Sequence, residues 1–476
     1  MRPATLLMCL TVAGCARAFP EPYPVTAERM AADLGRHFHE VFPEPGGPDE
    51  ARDAGLLQPR FGLPAIVQRG GSFAVEVLER GGPVALRAAL VRSDLPAAGV
   101  ARCLASSAVA VEDCFPLRLD EESRSPLDGA LALRRLRATP SMPPPARAYD
   151  LVLAADVDPL QRARRAVFLT DGDPTAPRDI RVVQLSDLHV GKTGHAGEIQ
   201  ERLEGVIHDV NALAPDLVVV TGDMAEQGHS MVLEQWAADA LLQVDAPLLV
   251  IPGNHDYGHF PKVRAPDEPD EGWFHFARAF HPFRWTQRSF AGWDLVGFDS
   301  GPSVFSPLVL TRGIRPETVD LLRGALDDAE RHARRGVVLF SHAPTRAVLR
   351  SDARDARGDG VGSMVHGAKA LEGLLLDAAA RRQRVLHLSG HTHWADVFEP
   401  SGADFERWPT DRLACARAPR SGVAMINAPS ATEVTFHVVE HGLRSGFVEI
   451  TLGKDETRVV FHLRDRGGLP VRCEAR

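Results

Sequence analysis

Five short polar pieces fall in order along one stretch of the 476-residue chain, and each comes directly after an apolar, largely β-branched run. Ser186-Asp187-Leu188-His189 follows VVQL, Gly222-Asp223 follows DLVVVT, and Gly253-Asn254-His255-Asp256 follows PLLVIP; Ser341-His342 follows VVLF, and Gly390-His391-Thr392-His393 follows VLHL. Such runs bounded by turn residues predict strands, so every piece is expected at the C-terminal end of one. Helical stretches are predicted between them, at 197–213, 230–243, 316–334 and 367–382. The third of these has Pro316 near its first turn and ends at Arg334-Arg335-Gly336, as helix-stop chemistry requires. Strands alternating with helices predict an α/β domain whose sheets are covered by helices.

The pieces share a chemistry. Strand side chains alternate, so residues two apart point the same way, and Asp187 with His189, or His391 with His393, is expected to grip a metal jointly. Carboxylate, imidazole and amide oxygen without thiolate suit Mn, Fe or Zn, and the set is too rich in nitrogen for Ca or Mg. Two metals have a chemical reason in phosphoryl transfer, where a pair roughly 3.5–4 Å apart clamps substrate oxygen and attacking hydroxide. Any one piece alone is an ordinary polar turn. Their order, strand context and complementary ligand count together argue for a site.

The ordered series D-x-H, G-D, G-N-H-D, H and G-H-x-H resembles the calcineurin-like metallophosphoesterases over about residues 180 to 465. The resemblance implies a four-layer α/β/β/α sandwich and hydrolysis of a phosphomonoester or phosphodiester by a metal-bridging hydroxide. It also implies that Asp187, His189, Asp223 and His393 hold one metal, and Asp223, Asn254, His342 and His391 the other. Asp223 is then the bridge, and His255 the non-ligand that assists the leaving group, ordinary work for an imidazole titrating near neutrality. The phosphoprotein phosphatases of that superfamily continue their Gly-Asp with Asp and then Arg; here the run is Met224-Ala225-Glu226-Gln227. Glu226 is expected to orient His255. Gln227 cannot replace a phosphate-gripping guanidinium, and Asp256-Tyr257-Gly258 supplies no arginine either. These departures favour small phosphoesters over phosphoproteins.

The remaining histidines, His195, His208, His229, His332 and His366, read as surface or packing residues, and His387 as a strand residue pointing away from the site. Tyr257, His259, Trp273, His275 and His281 fall in an aromatic, Pro-punctuated insertion, with a packed segment the default and a pocket wall the alternative. Arg357-Gly358-Asp359 reads as loop charge.

A chain this long predicts two folded domains. Residues 61–171 carry recurrent β-like runs and are expected to form a small all-β, immunoglobulin-like sandwich, joined at Asp171-Gly172-Asp173-Pro174 to the metal-site domain at 178–476. Residues 15–60 read as a Pro/Gly-rich linker with a short helix near Ala27 to Phe38. Residues 1–14 have the n-region and apolar stretch, LLMCLTVAG, of a secretory signal. Val12-Ala13-Gly14-Cys15 resembles a bacterial lipobox, with Cys15 the lipidated residue, and this implies a periplasmic or cell-surface, outer-membrane lipoprotein. Export permits disulfides among Cys103, Cys114, Cys415 and Cys473, with Cys103–Cys114 the preferred pair and free buried thiols the alternative. A formal net charge of −9 gives no basic footprint, so no nucleic-acid partner is expected. The expected partners are a small-molecule or envelope phosphoester and, through Cys15, the membrane. A different class of function, a surface lipoprotein that binds through the β domain and keeps the metal domain as scaffold, is separated from the enzyme by assay.

Overall fold

The computed structural model describes residues 34, 38–42, 54–105, 113–127, 130–155, 161–192, 196–258, 271–301, 305–306, 309–310, 312–347, 363–409, 415–432, 445–464 and 470. Cys15 and the signal segment, His195, His259, Arg357-Gly358-Asp359 and Cys473 lie outside them. Among the described residues no helix is long and apolar enough to cross a membrane.

After a short helix α1 (Phe38–Val41), eight strands form the first unit: β1 (Ala54–Gln58), β2 (Ala65–Gln68), β3 (Phe73–Arg80), β4 (Leu86–Val91), β5 (Cys114–Pro126), β6 (Leu131–Pro140), β7 (Ala148–Ala155) and β8 (Gln161–Thr170), with helix α2 (Ala97–Ala105) between β4 and β5. They hydrogen-bond into one continuous sheet of order β1-β3-β6-β5-β4-β7-β8-β2. The ladder is thus a single sheet, where two separate sheets were expected. It curls around one core, in which Leu56, Val75, Val77, Leu90, Leu136, Leu151 and Val167 from across the order are all buried. Bulges at Leu56/Gln58, Glu121/Ser123 and Tyr149/Leu151 supply the bends. The sheet begins inside the stretch read as linker, because β1 is too short to show periodicity among its Pro and Gly neighbours. Cys103 and Cys114 are joined in a disulfide between α2 and β5, and Cys415 is disulfide-bonded as well.

The second unit has the four expected layers. Its first sheet runs β11-β10-β9-β21-β22, from β9 (Ile180–Leu185), β10 (Leu217–Val220), β11 (Leu248–Val250), β21 (Ser445–Leu452) and β22 (Thr457–Arg464). The second runs β12-β13-β16-β17-β20-β18-β19, from β12 (Trp285–Phe290), β13 (Trp293–Phe298), β16 (Gly336–Phe340), β17 (Val385–Ser389), β18 (Asp396–Ser401), β19 (Asp404–Arg407) and β20 (Val423–Asn427); β14 (Phe305–Ser306) and β15 (Val309–Leu310) form a separate pair. Alternation sorts the side chains. Val182, Val219, Leu249 and Ile450 of the first sheet share the central core with Leu295, Val338, Leu386 and Ile426 of the second. Their neighbours Val183, Val218 and Leu248 face helices α3 (Ala196–Ala212) and α4 (Met231–Leu241). On the far side Val296, Val337 and Val385 face α6 (Pro316–Arg331) and α7 (Ala368–Ala380), while α5 (Glu271–Ala279) packs behind the Gly-Asn-His-Asp turn. The four helices read from the sequence, α3, α4, α6 and α7, lie within three residues of their expected bounds. Leu57, Leu78 and Leu133 of the β unit and Leu34 and Phe38 belong to the same central core, so the first unit is packed onto the second.

Candidate metal centre

Each polar piece lies where its strand ends: β9, β10 and β11 in one sheet, β16 and β17 in the other. Parallel neighbours share a direction, so the loops gather along one edge of the two stacked sheets, the usual place for ligands in α/β folds. The pairing of residues two apart has a different cause from the one expected. Asp187, His189, Asp223, His391 and His393 all have φ between 46° and 70°, in the left-handed region that non-glycine residues seldom occupy. The strands have already ended, and tight left-handed turns aim these side chains inward. Strain of this kind persists when neighbours over-determine it. Here Asp187 N–H donates to Gly222 O (3.0 Å), His189 N–H to Asp223 O (3.1 Å), and the Ser430 and Thr432 hydroxyls to the carbonyls of Asp187 and Leu188 (both 2.7 Å).

Two glycines are dictated by closeness. At Gly222, with φ 97°, a Cβ would come 2.6 Å from Gly253 N and 2.7 Å from His342 Nδ1; at Gly390 it would overlap Ser186 Oγ outright and reach 2.5 Å from Asp187 Oδ2.

The structure brings all seven expected ligands together. His393 Nε2 is 2.9 Å from His189 Nε2 and 3.2 Å from Asp187 Oδ1. His342 Nε2 is 3.0 Å from Asn254 Oδ1 and 3.2 Å from His391 Nδ1. Asp223 lies between the groups, with Oδ2 at 3.7 Å from His189 Nε2 and 3.3 Å from His342 Nε2. Atoms bound about 2.1 Å from one ion sit roughly 3.0–3.4 Å from each other in octahedral or tetrahedral arrangement, and the spacings here bracket that range, from 2.9 to 3.7 Å.

Protonation argues the same way. His342 Nδ1 donates to Thr221 O (2.8 Å), and His189 Nδ1 meets Glu226 Oε2 (2.8 Å), so both turn Nε2 lone pairs toward carboxylate and amide oxygens. Acceptors converging on acceptors need a cation between them, and the donor set fits two. Without metal a proton takes that part: burial lowers the His342 pKa, but Asp223 and Asp187 outweigh it and push it up to about 9. Burial likewise raises Asp223, yet His342, His255 and His189 hold it well below the usual carboxylate range. His391 is held well below the usual imidazole range by burial and by Arg312.

His255 is 23% exposed at its side chain. Its Nδ1 donates to the Glu226 carbonyl (2.8 Å) and its ring meets His189 edge-on at 4.7 Å, so Nε2 is the nitrogen not committed to that carbonyl. The expected role of Glu226 changes here. Its carboxylate is 2.8 Å from His189 Nδ1 and 3.8 Å from His255 Nδ1; the side chain orients His189, and the backbone orients His255.

Sequence reasoning missed Arg312, whose buried guanidinium donates to His391 Nε2 (2.7 Å) and Ser363 O (2.8 Å). A guanidinium therefore does reach the site, from a stretch with no motif to announce it. The remaining histidines fall largely as expected: His387 is fully buried, bonded to Ser341 Oγ (2.9 Å) and stacked on Phe298, and His208 and His332 bear on no ligand. The described residues of the insertion are packed, with Tyr257, Trp273 and His281 buried and His275 Nδ1 donating to Gly228 O (2.9 Å).

Residues 180–395 match the model of the calcineurin-like phosphoesterase family. The chain is 31% identical over 131 residues to a probable cyclic nucleotide phosphodiesterase of Moraxella catarrhalis, covering 26% of this chain and 44% of that protein. It is 37% identical over 81 residues to a probable glycerophosphodiester phosphodiesterase of Arcobacter nitrofigilis, covering 16% and 29%. The chain thus spans less than half the length of the curated relatives it matches. Among solved structures it is similar to purple acid phosphatase PPD1 from yellow lupin, with a TM-score of 0.49 at 11% identity over 85% of this chain and 72% of that one.

Proposed function

Since residues 180–395 belong to the calcineurin-like phosphoesterase family, we propose that the chain is a binuclear metal-dependent phosphoesterase acting on a small phosphodiester or phosphomonoester. The observation that carries this reading is the position of Asp223, one carboxylate within 3.7 Å of imidazole nitrogens from both ligand groups. Asp187, His189, Asp223 and His393 would hold one ion, and Asp223, Asn254, His342 and His391 the other. When bound, the pair supplies Lewis-acid charge at phosphorus and a nucleophile at neutral pH.

The chain's own residues do the rest. Thr221 and Glu226, facing the Nδ1 atoms of His342 and His189, turn the Nε2 atoms of those two ligands inward, the usual task of groups outside a coordination sphere. His255, with Nδ1 committed to a carbonyl, presents Nε2 to protonate the departing oxygen. Diester chemistry is favoured by the names of the two curated relatives and by Gln227, which leaves no arginine after the Gly-Asp turn. Lipidation at Cys15 and a periplasmic or outer-membrane location are part of the same proposal, supported by the LLMCLTVAGC stretch.

Metal removal and restoration across a panel of aryl and natural mono- and diesters tests the reading. Activity lost with chelator and restored by Mn, Fe or Zn is the expected result; a metal-replete chain inert on the whole panel would favour the non-catalytic scaffold. Asp223→Asn should lower the metal content below two per chain in elemental analysis. Two ions retained would count against the bridge.

A further inference from the structure

Asp256 is fully buried and stands outside the ligand set. Its carboxylate nevertheless gathers four backbone N–H groups: Oδ2 accepts from Gly253 (2.7 Å) and Asp223 (3.0 Å), and Oδ1 from Met224 (2.8 Å) and Ala225 (3.3 Å). Those amides belong to two different loops. One follows β10 and carries Asp223, and the other follows β11 and carries Asn254. The backbone N–H of His255 donates in turn to Asp223 Oδ1 (2.8 Å), so the two loops are stitched in both directions.

A second observation lies behind this knot. Glu234, on α4, is also fully buried, and neither of its oxygens meets an N–H or O–H donor. Burial first, and then Asp256, pushes its pKa well above the usual carboxyl range.

We propose that Asp256 is a positioning residue that fixes the separation of Asp223 and Asn254, and so sets the affinity of the ion held by Asp223, Asn254, His342 and His391, with Glu234 packed behind it. The inference rests on the two-metal reading. A carboxylate accepting four amides defines the distance between two loops in a way that an amide side chain, which presents its own N–H groups to those donors, cannot.

The test is metal binding to the full chain, stripped and then titrated calorimetrically with Mn²⁺ or Zn²⁺, for wild type, Asp256→Asn, Glu234→Gln and Glu234→Leu. Losing an orienting partner of this kind typically costs roughly 10–100-fold in metal affinity. Asp256→Asn should weaken the ion held by both Asp223 and Asn254 by about that factor and the ion that shares only the Asp223 bridge by less, with kcat recovering at high metal and KM unaltered. Glu234→Gln, which keeps the shape, should bind within about twofold of wild type. Glu234→Leu should weaken the same ion by a smaller factor and reads the link independently of whether Asp256→Asn folds. Both affinities unchanged in Asp256→Asn and Glu234→Leu, in a wild type that binds two ions and hydrolyses esters, would overturn this inference alone. A wild type that takes up no metal would overturn it together with the two-metal reading.

Discussion

Replacing Glu226 separates two mechanisms that the sequence could not tell apart. If the carboxylate orients His255, its loss damages leaving-group protonation; if it orients His189, its loss damages metal binding. The distances, 2.8 Å to His189 Nδ1 against 3.8 Å to His255 Nδ1, favour the second. Losing an outer partner of a metal ligand typically costs roughly 10–100-fold in metal affinity, and the 21% exposure of the Glu226 side chain argues for the lower part of that range. About 1.4–2 kcal/mol corresponds to roughly 10- to 30-fold in metal affinity. Glu226→Ala should show this loss when the stripped protein is titrated with Mn²⁺ or Zn²⁺. At saturating metal its kcat on an aryl phosphodiester should stay within about threefold of wild type, because the carbonyl that holds His255 Nδ1 is backbone and survives the substitution. Glu226→Gln, which keeps an acceptor and loses the charge, should lie between. A hundredfold fall in kcat at full metal occupancy, with affinity unchanged, would refute the assignment.

Three further outcomes are expected. His255→Ala should keep two ions by elemental analysis and lose about 10²–10⁴-fold in kcat, with the smallest loss on esters of acidic phenols, whose leaving groups need no proton; uniform losses across leaving groups would contradict the acid role. Gly390→Ala forces a methyl into Ser186 and toward Asp187, so it should cost about 1–3 kcal/mol in denaturant unfolding and reduce bound metal; a variant with wild-type stability and metal content would show that the close approach is not there. His281 and His387 are buried neutral, their pKa values pushed down by burial to about 3, against about 6.5 unfolded. Their depressed values mean that the stabilisation is complete above pH 6.5 and lost as pH falls toward 3. Each should cost about 2–3 kcal/mol by pH 4.5, and His387→Phe should flatten part of that slope in urea melts run from pH 7 to pH 4.5.

Much of the site was legible because ligand types and their strand contexts are local. Valine-rich runs ending in Asp, Asn or His announce both the strand and the group at its tip, and helices such as Pro316–Arg331 carry their own start signals. The sheet of the first unit was less legible. Its runs show that strands exist, but pairing is decided by contacts across the sheet, as in the parallel joining of β2 to β8 far along the chain. Arg312 and Asp256 stayed silent for another reason. Arg312 sits in no motif, Asp256 sits in one without its role showing there, and each acts through partners that the fold alone brings near.

By itself, then, the sequence determined the chemistry: seven donor side chains with no thiolate, placed after strands, with His255 beside them. Only tertiary structure decided how those donors point. Left-handed turns at Asp187, His189, Asp223, His391 and His393 are conformations that isolated residues avoid, and two packed sheets together with Asp256, Ser430 and Thr432 hold them in place. The tautomers of His189, His342 and His255 were decided there too, because each depends on a carboxylate or carbonyl delivered from another part of the chain.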